Sequence, residues 1–255
     1  MRSSVLRPAA RVGEPLADAH PRPAERATTA AVAALLFLSG AAGLVYQVAW
    51  VRLLGLTFGV TIFAISTVLA AFMGGLALGS FFGGRRADAT ARPLKVYGLV
   101  ELGVGLTALL TPWAFGALQA TYASVSTIVD PAQAPLVAGA VRAVLAFTVL
   151  LVPTALMGAT LPLAVRGVRG ARTEHDPTRG DTWAMALLYA TNTTGAIVGC
   201  LASGFILIGG LGLSETIVVA AITNAFAGFG ALLAQRVLID RPAATVHGVS
   251  DTSQH

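Results

Sequence analysis

The feature that most constrains this chain is a succession of six apolar runs, at about 29–51, 57–82, 94–119, 134–165, 183–208 and 212–236. A helix rises about 1.5 Å per residue, so roughly 20 apolar residues cross the hydrocarbon of a bilayer. Backbone groups in hydrocarbon find no water, so spans of this composition must be helices that close their hydrogen bonds internally. The alternation of barrel strands is absent. Soluble domains carry roughly a quarter of their residues as Asp, Glu, Lys and Arg. Here the charged share is 11% and the apolar share 55%, which excludes a soluble globular enzyme. The expected fold is all-α: a polytopic transmembrane helical bundle of six spans. Residues 1–28 are expected to form a disordered basic tail, 29–238 the membrane domain and 239–255 a second polar tail. The first run is longer than the apolar core of a secretory signal and more spans follow it, so it reads as an uncleaved helix.

Orientation follows from the cations. With the N-terminus inside, Arg2, Arg7, Arg11, Arg22 and Arg26 lie in the first tail. Arg85, Arg86, Arg92 and Lys95 then fall in the second loop, Arg166, Arg169, Arg172 and Arg179 in the fourth, and Arg236 and Arg241 at the end. Only Arg52 falls at the outer face, with Arg142 inside a span, so both termini are expected in the cytoplasm and the chain in the cell inner (cytoplasmic) membrane. The basic residues flank spans instead of forming a stripe with interleaved aromatics, so the lipid bilayer, not nucleic acid, is the expected partner. Cys200 is the only cysteine. It cannot form an internal disulfide. His20, His175, His247 and His255 all lie in tails or loops, and neither a metal site nor a cofactor is expected.

Small residues recur at every fourth position in the second span, as Gly75, Gly79 and Gly83, and in the fifth, as Gly195, Gly199 and Ser203. Such ridges let helix backbones approach closely and read first as packing devices. Pro153 and Pro162 each remove a donor from the fourth span and predict a bend. Gly209, Gly210 and Gly212 are expected in a short outer turn.

Ionisable side chains inside spans are costly, which makes them functional candidates. Glu101 lies on the order of 10 Å into the third span from the cytoplasmic side, and Asn192 in the fifth at roughly 13 Å. Tyr97 and Glu101 share one helix face, and Tyr189 and Asn192 share another, so these four are expected to line one polar pocket. Asn224 falls near the midplane of the sixth span and needs a partner. Two readings of Glu101 stand side by side. One is a protonated or hydrogen-bonded carboxyl that locks helices together. The other is a charged carboxylate that binds a cation, including a polyamine or a proton. A direct pair with Arg142 is not expected, because the axial gap is on the order of 10 Å. At the outer side Gln47, Arg52, Arg142 and Glu215 predict a charge cluster, with Trp50, Trp113 and Tyr122 as interfacial anchors.

Several segments carry a family resemblance: FLSGAAGLVYQVAWVRLLG from Phe37, LAAFMGGLALGSFFGGRRAD from Leu69, RPLKVYGLVELGVGL from Arg92, LVPTALMGATLPLAVR from Leu151 and LLYATNTTGAIVGCLASGFILIGGLGL from Leu187. Together they resemble the membrane portion of the bacterial fused major-facilitator and spermidine-synthase-like proteins, over about residues 35–235. The resemblance implies an arrangement like half of a major facilitator. It also implies a soluble aminopropyltransferase-like domain in many members, which is not expected on this chain. The segment from Gly83 is similar to the loop after the second helix of major facilitators, which implies a cytoplasmic gate at Gly83, Gly84, Arg85, Arg86, Asp88 and Arg92.

Aminopropyl transfer needs a glycine-rich turn after a strand and carboxylates that orient the amine. Neither is present, and no nucleophile has a base in reach, so the chain is not expected to be an enzyme. Three functions follow as expectations. The first is a non-catalytic scaffold that docks a membrane or cytoplasmic protein subunit. The second is a half-transporter that forms a homo-oligomer and moves a small cationic solute such as a polyamine. The third is the membrane anchor of an aminopropyltransferase carried on another chain.

Overall fold

A computed structural model describes residues 23–58, 61–126, 135–170 and 177–240. Among them there is no strand. The helices are α1 (Pro23–Phe58), α2 (Thr61–Ala89), α3 (Pro93–Leu109), α4 (Thr111–Ser126), α5 (Pro135–Gly170), α6 (Pro177–Ala202), α7 (Ile208–Leu211) and α8 (Leu213–Ala234). A π-helical turn, Ser203–Leu207, joins α6 to α7, and a second one, Gln235–Ile239, extends α8. Proline is the first residue of α1, α3, α5 and α6, where its missing N–H has no helical partner to lose. Five helices are long and apolar enough to cross a membrane, and the bent pair α3 and α4 makes a sixth when counted as one span. Large apolar side chains such as Phe63, Met73, Phe82, Phe205 and Phe229 stand exposed on the outer surface of these helices. An outer surface of this kind suits lipid and not water. This is the build of a multi-pass helical membrane protein.

The structure corrects three expectations. Residues 23–28 belong to α1 and not to a tail, while 1–22, 241–255 and all four histidines lie outside the described residues. The third apolar run is not one straight helix: its axis turns by 44° between α3 and α4. Pro112 is the cause, since it has no N–H for the Ala108 carbonyl one turn back. The Thr111 hydroxyl takes over, donating to Ala108 O at 2.7 Å. Gly209 and Gly210 are helical, and only Gly212 adopts a positive φ, +92°, ending α7 in one residue before α8 begins. Pro153 and Pro162 lie inside α5, which runs unbroken through both. Pro162 frees the Gly158 carbonyl, which instead accepts from the Ser80 hydroxyl of α2 at 3.0 Å.

The helices pack as three pairs, α1 with α6, α2 with α5, and α3 with α8, closed by contacts of α1 with α8 and α3 with α5. Small residues set each pair. Gly75, Gly79 and Gly83 lie against Thr154, Ala155 and Ala159 of α5, while Gly195 and Gly199 lie against Phe37 and Ala41 of α1. Any side chain at these glycines would overlap its neighbour, which is the packing role expected of such ridges.

Two apolar clusters fill the interior. One holds Tyr46, Trp50, Phe72, Val104, Ala108, Phe115 and Ile217. The other holds Leu36, Leu94, Tyr97, Leu163, Leu188 and Ala231. Along α1 the boundary between them falls at Ser39, along α3 at Glu101, and along α8 at Asn224. The three polar residues form a layer between two apolar plugs.

Candidate functional site

Glycine spacing brings α3 and α8 together at this layer. A Cβ on Gly98 would stand 2.6 Å from the Gly228 carbonyl oxygen, and one on Gly105 would stand 3.3 Å from that of Ala221. The helices run antiparallel, so these two close approaches fix what lies between them. Glu101 is one turn from each glycine, and Asn224 is one turn from Gly228 and Ala221. Asn224 Nδ2 donates to Glu101 Oε2 at 2.5 Å. Both side chains are buried, Glu101 to 0% exposure and Asn224 to 1%. The amide must present its NH2 to the carboxylate, because its oxygen would be repelled there. Asn224 Oδ1 is therefore turned away.

Two hydroxyls stand beside the pair. Those of Ser39 and Tyr97 stand against the Glu101 carboxylate, and Tyr46 lies within its electrostatic reach. None of these contacts closes the layer. Tyr46 Oη, Tyr97 Oη, Glu101 Oε1 and Asn224 Oδ1 are all buried and none meets a partner at full hydrogen-bond geometry, although the Tyr97 and Ser39 hydroxyls stand close enough to the carboxylate to bond it. Buried polar atoms are nearly always paired, so the incompletely paired oxygens of Glu101 and Asn224 mark a place that something else completes. Among the described residues no ion pair reaches Glu101, and the Arg92–Asp240 salt bridge lies elsewhere.

The expected pocket is thus half assembled. Tyr97, Glu101 and Asn224 meet, but Asn192 lies across α1 with its backbone and side chain against Gly40. Tyr189 is 63% exposed on the outer surface of α6 and does not face the layer. Three-residue spacing put Tyr189 and Asn192 on one face of their helix. It could not say that this face turns outward after the contact with α1. Ser39 and Tyr46 were missed. They are seven residues apart on one face of α1, within an otherwise apolar run, and that spacing was the available signal.

The outer charge cluster does not form. Arg52 and Glu215 are exposed and Gln47 is half-buried, and no hydrogen bond or ion pair joins the three. Glu215 lies over the Gly212 turn. Arg142 instead turns to Tyr122. Its Nη2 donates to Tyr122 Oη at 2.7 Å, and its guanidinium carbon lies 4.2 Å from the ring centre. Trp113 is 69% exposed, as an anchor requires, but Trp50 is fully buried. Its indole N–H donates to Thr111 Oγ1 at 2.9 Å, a use inside the bundle and not at an interface.

At the other end, Gly83 packs on Ala159 and Gly84 faces open space. Arg85 lies 3.8 Å over the Phe81 ring, and Arg86 and Asp88 are exposed. Arg92 does not meet Asp88. Its Nε lies 3.6 Å from Asp240 Oδ2, while Gln235 Nε2 donates to the other Asp240 oxygen at 3.0 Å. Asp240 ties the start of α3 to the end of α8, a residue the sequence reading passed over. Among the described residues no group of three His, Cys, Asp or Glu side chains could hold a metal ion.

No protein-family model matches the chain, and neither a curated protein nor a solved structure is significantly similar to it.

Proposed function

We propose that this chain is a non-catalytic membrane unit that binds a small cation at the Glu101 layer and acts as one half of a transporter formed by two copies. Both termini face the cytoplasm in this reading, and the membrane is the inner one. The observation that supports it is the Glu101 carboxylate, 0% exposed and placed between two apolar clusters. An acidic side chain at that depth costs several kcal/mol, which a purely structural bundle avoids by using an apolar residue. A carboxylate whose second oxygen is open can accept a cation, and the resemblance described above implies an arrangement like half of a major facilitator, whose repeats pair to enclose a pathway. The polyamine class of solute rests on the resemblance described above.

Purified protein in liposomes tests this. Uptake of labelled spermidine or another small cation is expected. Glu101→Gln is expected to abolish it while the protein stays monodisperse. Uptake that survives this substitution removes Glu101 from transport.

A second reading, a scaffold that docks a partner protein, draws support from α6. In the most apolar window of Thr182–Leu211, 17% of residues are buried in the bundle, against 44% for Leu213–Ile239. The uncovered surface carries Tyr189, Thr193 and Cys200 beside its apolar residues. Co-purification of a partner, with no flux in liposomes and loss of the partner on Tyr189→Ala, is the outcome this reading expects.

A further inference from the structure

The open oxygens of the Glu101 layer share a chemistry. Glu101 Oε1, Asn224 Oδ1, Tyr97 Oη and Tyr46 Oη are all oxygens, and all can donate lone pairs. The Ser39 hydroxyl adds a fifth beside the carboxylate. Oxygen-only sets of carboxylate, amide carbonyl and hydroxyl groups suit hard cations and not the softer transition metals. The layer carries one formal negative charge, on Glu101. Asn224 on α8 is neutral, and the titratable groups that face Glu101 from α1 and α3 are Tyr46 and Tyr97, neutral as phenols. Among the described residues no Lys or Arg approaches the carboxylate.

Charge balance then selects the guest. A divalent ion leaves an uncompensated buried charge, which the interior does not tolerate. A proton on Oε1 neutralises the carboxylate with a single donor, whereas a metal ion takes lone pairs from several oxygens, and the experiment below separates the two guests. A single monovalent metal ion both neutralises Glu101 and occupies several of the oxygens at once. We infer that the Glu101 layer binds one dehydrated alkali cation, of the Na+ class, between Glu101 Oε1 and Asn224 Oδ1, with the hydroxyls of Tyr97, Tyr46 and Ser39 completing its surroundings. This deepens the transport reading, on which it rests, by naming the ion that occupies the same site.

The register of α3 and α8 frames the site. Gly98 against Gly228 and Gly105 against Ala221 clamp the helices one turn away on either side. The apolar clusters above and below exclude water, which strengthens the attraction between ion and carboxylate.

The test uses the full chain in detergent micelles, followed by tryptophan fluorescence on heating. Na+ is titrated against choline at constant ionic strength, at two pH values. A ligand that binds only the folded form raises the midpoint in a saturable way, by roughly a few degrees for a chain of this size. Wild type is expected to show that rise with Na+ and not with choline, and Asn224→Ala is expected to shift the half-saturating Na+ concentration upward at least tenfold. Glu101→Gln is expected to abolish the response. Should Glu101→Gln fail to fold, Tyr97→Phe replaces it, with a weaker Na+ response expected. A wild type indifferent to Na+ overturns the inference, and so does a midpoint that follows pH alone, which identifies a proton site. A response retained in both Asn224→Ala and Glu101→Gln places the ion elsewhere and also overturns it. Liposome uptake that depends on Glu101 in the absence of any Na+ effect sinks the ion assignment while leaving the transport reading in place.

Discussion

Two buried polar sites lie about 10 Å apart along α3, and they are finished differently. At one, the Trp50 indole donates to Thr111 Oγ1 at 2.9 Å, and the Thr111 hydroxyl donates to Ala108 O at 2.7 Å. Each link is closed, and the carbonyl that Pro112 leaves bare is covered. At the other, one hydrogen bond joins Asn224 to Glu101, and the second oxygen of each side chain stays open. A fully satisfied network rigidifies a core, whereas a half-satisfied one costs stability that an apolar pair does not. The first site is how this bundle holds a bent span against α1. The second is what a bundle looks like where its interior expects a guest.

That contrast can be broken in four ways. The largest effect is expected from Gly98→Leu, which drives a side chain into the Gly228 carbonyl and forces α3 from α8. Overpacking of this kind costs several kcal/mol, and loss of the monodisperse peak in size-exclusion chromatography is expected. Gly84→Leu, at a glycine with open space, is the control and leaves the peak unchanged. Next is Trp50→Phe, which strips the closed network of its donor. A loss of about 1–3 kcal/mol in thermal unfolding is expected, with the response to Na+ intact. Tyr97→Phe sharpens the comparison from the other side. It removes a buried hydroxyl that stands against the carboxylate without full hydrogen-bond geometry, so stability without Na+ is expected to change by no more than about 1 kcal/mol. The Na+ needed for half-maximal protection goes up. The smallest effect belongs to Asp240→Asn, which breaks the partly exposed pair with Arg92. Below about 1 kcal/mol is expected, vanishing in high salt.

Much of this fold was legible from apolar length. Six runs became five long helices and one bent pair, and the glycine ridges of α2 and α6 packed as ridges do. The bend at Leu110 was also written in the chain, since Pro112 sits well inside the third run, but length alone reads straight through it. The site was legible by depth. Counting residues put Glu101 and Asn224 deep in their spans, and the structure joins them. Azimuth was not legible. Whether Asn192 meets Glu101 or Gly40 depends on which side of α1 the fifth span packs, and that is decided by Gly195 and Gly199 against Phe37 and Ala41. Trp50 illustrates the same limit. A tryptophan near a span end is expected at the interface, until a bent neighbour presents a hydroxyl inside.

The most direct test is a high-resolution density map of the protein in a Na+-containing lipid environment, inspected at the level of Asn224. A discrete peak bonded to Glu101 Oε1 and Asn224 Oδ1, with at least one hydroxyl of Tyr97, Tyr46 or Ser39 turned to it, is the predicted result. A dry layer, in which the Tyr97 hydroxyl donates directly to Glu101 and no peak lies between α3 and α8, contradicts the account.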